Sequence, residues 1–230
     1  MMPRYFMAGV LALFACGASG QEAVTFPLSE NTPGAPLLSA DVYGHGTRAV
    51  LLAHGGQFGK ESWKKQAAVL ANAGFLVLAL RFRGDRYKAD GSCGSSGPYE
   101  DNTADVLAAI SYLRRTGAKR ISAVGASLGG DAVADADAQS KPGTFDRIVM
   151  LGSSGGDAPE KLTGRKLYLV AREDRNDDGL RLDGISRQFA RAAQPKKLVV
   201  VEGSAHAQFL FDTDQGPRVM QEIVSFLTEP

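Results

Sequence analysis

Apolar residues fall along this chain in short unbroken runs, separated by stretches in which they recur every three or four positions. The runs "AVLLAHGG" (49–56), "FLVLALRF" (75–82), "RISAVGAS" (120–127), "DRIVMLGSS" (146–154), "KLYLVARE" (166–173) and "KLVVVEGS" (197–204) are apolar at consecutive rather than alternate positions. A strand covered on one face alternates, whereas a parallel strand buried on both faces does not. These six therefore predict the core of a parallel sheet. "VTFPLS" and "LLSADVYG" near the front are weaker and predict antiparallel edge strands, which brings the expected count to eight.

Between the runs the period lengthens. In "ESWKKQAAVLANAG", Trp63, Ala67, Leu70 and Ala73 make one stripe and Gly74 supplies a stop. In "DNTADVLAAISYLRRTG", Val106, Ile110 and Leu113 share a face that ends at Gly117. "GISRQFARAAQ" and "GPRVMQEIVSFLTE" predict two more helices. Strands alternating with helices predict a doubly wound α/β domain, a mostly parallel eight-stranded sheet with helices on both faces.

Composition changes this picture little. A chain of 230 residues with 44% apolar positions suits one such domain. Charged residues make up 22% and the net charge is +1, with no polybasic stripe, so no nucleic-acid partner is expected.

The first twenty residues stand apart. In "MMPRYFMAGVLALFACGASG", Arg4 precedes an apolar stretch from Tyr5 to Ala15, followed by small residues. That is the layout of a secretory signal peptide, and the stretch is too short for a membrane span. The reading is a signal over 1–20, cleaved after Gly20, and a domain over 21–230 exported to the periplasm or the medium. A rival reading takes "LFAC" as a lipoprotein signal with a lipid anchor on Cys16, for which Phe14 is bulky. Cys16 and Cys93 are the only cysteines, and either cleavage leaves no intramolecular disulfide. Cys93, in "DGSCGSSG", reads as a loop residue.

In a sheet of this kind ligands bind beyond the carboxyl ends of the strands, so the residues that follow each run matter most. After "ISAV" comes Gly125-Ala126-Ser127-Leu128-Gly129. A sharp turn from strand to helix forces the serine into a strained conformation, and small neighbours remove the clashes. G-x-S-x-G is moderately specific alone; here it has a strand before it and a helix after it.

A serine hydroxyl needs a base, usually histidine near neutral pH. Of the three histidines, only His206, in "SAHAQ" after the last strand, lies at the carboxyl edge in a position to serve. His45, in "YGHGT", reads as a surface residue, and His54 as a residue that shapes its own loop. The imidazole in turn needs a carboxylate. The strand "KLYLVA" ends in "REDRNDDG", where Asp174 is favoured over Glu173, Asp177 and Asp178. "DRNDDG" also matches the opening of a calcium loop, but Ile185 stands where its twelfth-position glutamate belongs, so no metal is expected. The backbone N–H of Leu128 and that of Gly56, with Gln57 as its alternative, are the expected oxyanion donors.

With these residues in place the chain resembles the α/β-hydrolase fold family, from about Ala49 to its end. "LLAHGG", "GASLGG", "LVARED" and "GSAH" recur in the family's order and spacing. "RFRGD" resembles its R-G-x-G turn, with Asp85 and Arg86 departing from it. The resemblance implies a Ser127–Asp174–His206 triad and no cofactor. Many relatives insert a helical cap after the sixth strand; here "GGDAPEKLTGR" is too short for one. The longest loop, "GDRYKADGSCGSSGPYED" (84–101), is the expected wall of a shallow acyl pocket. The expectation is a small, cap-less serine esterase acting on small-molecule ester or acyl substrates. The same triad serves peptidases, amidases and thioesterases, and a non-catalytic binding protein on this scaffold is the more distant alternative.

Overall fold

The computed structural model describes residues 20–87, 93–95 and 102–230. The expected leader through residue 19, Cys16 included, lies outside these, as do residues 88–92 and 96–101 of the long loop.

Eight strands form one sheet: β1 (Glu22–Pro27), β2 (Leu37–Tyr43), β3 (Arg48–Ala53), β4 (Leu76–Arg81), β5 (Arg120–Ala126), β6 (Arg147–Leu151), β7 (Arg165–Ala171) and β8 (Lys196–Val201). Their order across the sheet is β1-β2-β4-β3-β5-β6-β7-β8. β2 pairs antiparallel with both β1 and β4, and every pairing from β4 to β8 is parallel. The six unbroken apolar runs are thus the parallel strands. β1 is an edge strand as expected, but β2 is not: it lies between β1 and β4, where Leu38 and Ala40 are buried.

Successive residues of a strand point to opposite faces, and both faces are dry here. In β3, Ala49, Leu51 and Ala53 join one apolar cluster, while Val50 and Leu52 join the other. On the second face lie α1 (Lys64–Asn72), entered through a 3-10 turn at Lys60–Trp63, and α5 (Gly216–Thr228). Trp63, Ala67 and Leu70 are the buried stripe, Ala73 is half-buried, and Gly74 ends the helix at φ +86. On the first face lie α2 (Asn102–Arg115), α3 (Leu128–Gln139) and α4 (Arg181–Arg191). α4 begins three residues earlier than the apolar pattern suggested, at Arg181 rather than Gly184.

Two short ladders lie in segments that read as plain loop. Asp85–Tyr87 pairs with Cys93–Ser95, and Arg175–Asn176 pairs with Gly179–Leu180. Cys93 therefore begins a strand.

Between β6 and β7 the chain makes only a 3-10 turn, Pro159–Lys161, and no cap domain is built there. Buried Asp137 of α3 holds this connection down. Its carboxylate accepts hydrogen bonds from the Thr163 N–H (2.8 Å), the Thr163 hydroxyl (2.8 Å) and the Gly164 N–H (3.1 Å). At the same end of the sheet Arg147, buried at the start of β6, donates to the carbonyls of Phe226 in α5 and of Glu229 just past it. Burial pushes its guanidinium below the ordinary arginine range.

Candidate active site

β5 ends at Ala126 and α3 begins at Leu128, so one residue makes the turn. That residue, Ser127, has φ 49 and ψ −120, a region that residues bearing a side chain seldom adopt. Its own backbone keeps it there. Its N–H donates to the Leu151 carbonyl at 2.9 Å, and its carbonyl accepts from the N–H groups of Gly130 and Asp131. The flanking glycines are required by close approach. A Cβ on Gly129 would run into the backbone carbonyls of Ala53 and His54, and one on Gly125 into the Gly129 backbone. The turn thus packs directly against the end of β3.

His206 follows β8 and aims its ring at this turn. Nε2 lies 2.8 Å from Ser127 Oγ, and Nδ1 lies 2.7 Å from Asp174 Oδ2. An ionised carboxylate only accepts, so Nδ1 carries the proton and Nε2 is left to accept from the serine hydroxyl. Ala207, next in the chain, also has a positive φ (50), and its backbone packs on Gly152. Asp174 is buried, with 1% of its surface exposed, just past the end of β7. Glu173, Asp177 and Asp178 are exposed. Of the four carboxylates in this segment, the geometry brings Asp174 to His206. The calcium-loop pattern is instead a hairpin turn tied by its own side chains: the Asp178 N–H donates to Asn176 Oδ1 at 3.1 Å.

The other two histidines are elsewhere. His45 is exposed between β2 and β3, at the opposite end of the sheet. His54 is fully buried; its Nε2 faces the Phe82 N–H at 3.4 Å and its Nδ1 lies 2.9 Å from the Gly55 carbonyl. It shapes the loop that carries Gly56. The N–H groups of Gly56, Gln57 and Leu128 donate to no described residue, and all three residues line one cavity with Ser127.

Two residues escaped sequence reasoning. Gln208 is buried, and its Oε1 accepts the Gly55 N–H at 2.8 Å while its Nε2 donates to Ser62 Oγ at 2.7 Å. It ties the histidine loop to the glycine loop. Arg181, the first residue of α4, has Nε 3.4 Å from Asp174 Oδ1, an ion-pair contact without hydrogen-bond geometry. No motif announces either residue: the partners of Gln208 are far away in sequence, and Arg181 meets Asp174 only because the intervening hairpin folds back.

Ser127 opens on two cavities. One, of about 490 Å³, is lined by Gly56, Gln57, Phe58, Leu128, Arg175, Arg181 and Phe209 among others. The Phe58 and Phe209 rings meet there at 4.8 Å between centroids. The second, of about 240 Å³, is more polar and includes Asp131, Ser153, Asp178, Arg181 and Arg187. The expected wall from the 84–101 loop falls largely on residues outside the described ones.

No family model matches this chain, and no curated protein matches it in sequence. Solved structures do. The dienelactone hydrolase of Anabaena variabilis superposes with a TM-score of 0.72 at 20% identity, over 90% of this chain and 96% of its own. The monoacylglycerol lipase of Paleococcus ferrophilus gives 0.66 at 17% identity, over 83% and 98%. An esterase from Exiguobacterium antarcticum gives 0.67 at 13% identity, over 85% and 97%.

Proposed function

We propose that this chain, which has the α/β-hydrolase fold, is a serine hydrolase that cleaves small carboxylic esters through an acyl-enzyme on Ser127. The observation that carries the reading is the unbroken hydrogen-bonded line from Ser127 Oγ through the His206 ring to buried Asp174. The likeness to solved esterases and lipases supports ester chemistry.

The steps follow from that line. Ser127 Oγ attacks the ester carbonyl as its proton passes to His206 Nε2, while Nδ1–H keeps its bond to the ionised Asp174. The tetrahedral oxygen takes hydrogen bonds from the N–H groups of Leu128 and of Gly56, with Gln57 as the alternative second donor. No bond within the described residues has to break to release them. Collapse expels the alcohol, which leaves with the proton from His206. Water then repeats the sequence on the acyl-enzyme, freeing the acid and restoring Ser127.

A fluorophosphonate probe is expected to label Ser127, as read by peptide mass. Ser127→Ala should abolish labelling and lower hydrolysis of p-nitrophenyl acetate by roughly 10⁴ to 10⁶. A Ser127→Ala protein that folds and keeps most of the activity overturns the assignment. Export belongs to the same proposal and rests on the leader-like composition of residues 1–20. In a secreting host the exported protein should start at Gln21 by intact mass. A diacylglycerol adduct on Cys16 would select the lipoprotein reading instead, and retention of Met1 would refute both.

A further inference from the structure

The two cavities that meet at Ser127 differ in charge. The smaller one mixes Asp131 and Asp178 with Arg181 and Arg187. Among the described residues, the larger one is lined by Arg175 and Arg181 and by no carboxylate. The short ladder pairs Arg175 with Leu180, so Arg181 follows directly on the partner of Arg175 at the base of the hairpin, and both line this cavity.

Several surface guanidiniums are paired, Arg172 with Glu202, Arg165 with Glu229 and Arg191 with Glu160. Neither Arg175 nor Arg181 donates a side-chain hydrogen bond to any described residue, and the single ion pair of Arg181, to Asp174 at 3.4 Å, falls outside hydrogen-bond geometry. Among the described acids of this segment, Asp174 alone makes an ion pair with either arginine. Asp174 faces His206, Asp178 is tied to Asn176, and Glu173 and Asp177 are exposed. The chain as a whole carries only +1, so this positive character is local.

From this we infer that the larger cavity selects esters bearing a negatively charged group, with Arg175 and Arg181 as the anion's partners and the Phe58–Phe209 pair covering the apolar spacer. A planar guanidinium presents paired N–H donors that match a carboxylate, and such charge-assisted bonds are among the stronger ones. The substrate class is thus a short half-ester of a dicarboxylic acid, hydrolysed to the dicarboxylate and an alcohol. The inference rests on the proposed ester hydrolysis at Ser127, but binding can be read without it.

The test is calorimetric binding to the Ser127→Ala protein. Monomethyl adipate carries a carboxylate where methyl hexanoate carries a methyl group and methyl 6-aminohexanoate an ammonium-bearing carbon. Monomethyl adipate is expected to bind at least about tenfold more tightly than either, although water solvates it best. The preference should weaken as salt rises. Arg175→Gln, at an exposed position that the fold does not need, and Arg181→Gln should each cut the preference by about tenfold, and Arg181→Lys should lose less than Arg181→Gln. Equal or tighter binding of methyl hexanoate, or a preference that survives both glutamine variants, overturns the inference. Wild-type protein that binds monomethyl adipate selectively yet cleaves no ester would sink the esterase reading and leave this one standing.

Discussion

Replacing Gln208 by leucine isolates the link between the histidine loop and the glycine loop. Leucine is close in volume and apolar, so packing around a buried side chain changes little. What is lost is the acceptor for the Gly55 N–H and the donor to Ser62 Oγ. Ser62 still donates to the Gly59 carbonyl at 2.6 Å, so its share of the cost is small. The Gly55 N–H, in contrast, is left buried without a partner, which costs about 1–3 kcal/mol. For about 2 kcal/mol, a chain of this size should lose roughly 4–8 °C in Tm. Gly55 adjoins Gly56, whose N–H is the proposed oxyanion donor. Outright removal of such a donor costs about 10²–10³ in rate, so a donor that is only loosened should cost roughly 10- to 100-fold in kcat. KM for a small ester should move little. The assay pairs thermal unfolding with steady-state hydrolysis of p-nitrophenyl acetate. Gln208→Glu sharpens it, because its carboxylate can accept from Gly55 but cannot donate to Ser62, and it should fall between the two. If Gln208→Leu melts within about a degree of wild type and keeps kcat within about twofold, the clamp has no role in holding the loop.

Asp174→Asn should lower turnover by about 10⁴ through loss of the histidine tautomer, while Glu173→Gln, Asp177→Asn and Asp178→Asn have small effects on neutral esters; a larger loss from any of those three moves the acid there. Across p-nitrophenyl esters from acetate to palmitate, kcat/KM should peak at short acyl chains, because a methylene gains its roughly 0.8 kcal/mol only when it leaves water and no cap encloses the site; a rise towards palmitate refutes this. Tyr168 is fully buried, its hydroxyl meets no described partner, and burial pushes its pKa up from 10.0 to about 12. The unfolded phenol ionises first, so Tyr168 withdraws stability as pH climbs from about 10 towards 12. Urea midpoints of Tyr168→Phe should match wild type near neutrality and exceed it at high pH, and parallel pH curves would contradict the assignment.

The parts of this molecule that were legible beforehand are those where one physical demand acts on neighbouring residues. Burial on both faces makes β3 to β7 continuously apolar, while β8 at the edge is only partly covered, and a one-residue turn against β3 requires small residues around Ser127. His206 and Asp174 stood out because they follow strands at the end where Ser127 emerges. The structure places all three within hydrogen-bond distance of one another in series. Gln208 and Arg181 carried no such mark. Gln208 acts through two contacts with residues distant along the chain, and Arg181 through one made when the Arg175–Leu180 hairpin folds back, and nothing around either one in the sequence registers it. The internal place of β2 was equally hidden, since its antiparallel pairing with β4 depends on which strand arrives beside it. The hairpin at Arg175–Leu180 was read as loop because its pairs are too few to set up a period.

The strand order also governs when reactivity can appear during folding. β3 is inserted between β4 and β5, so the glycine loop meets Ser127 only after chain segments far apart in sequence have closed on each other. His206 arrives from β8 at the far edge, paired to β7 alone. Helices such as α2 form from local contacts, whereas this parallel register must first meet the entropy of closing long loops. A refolding chain therefore regains helical circular dichroism before Ser127 becomes reactive towards a fluorophosphonate. On the proposed mechanism, labelling of Ser127 would report that the parallel strands from β3 to β8 have come together.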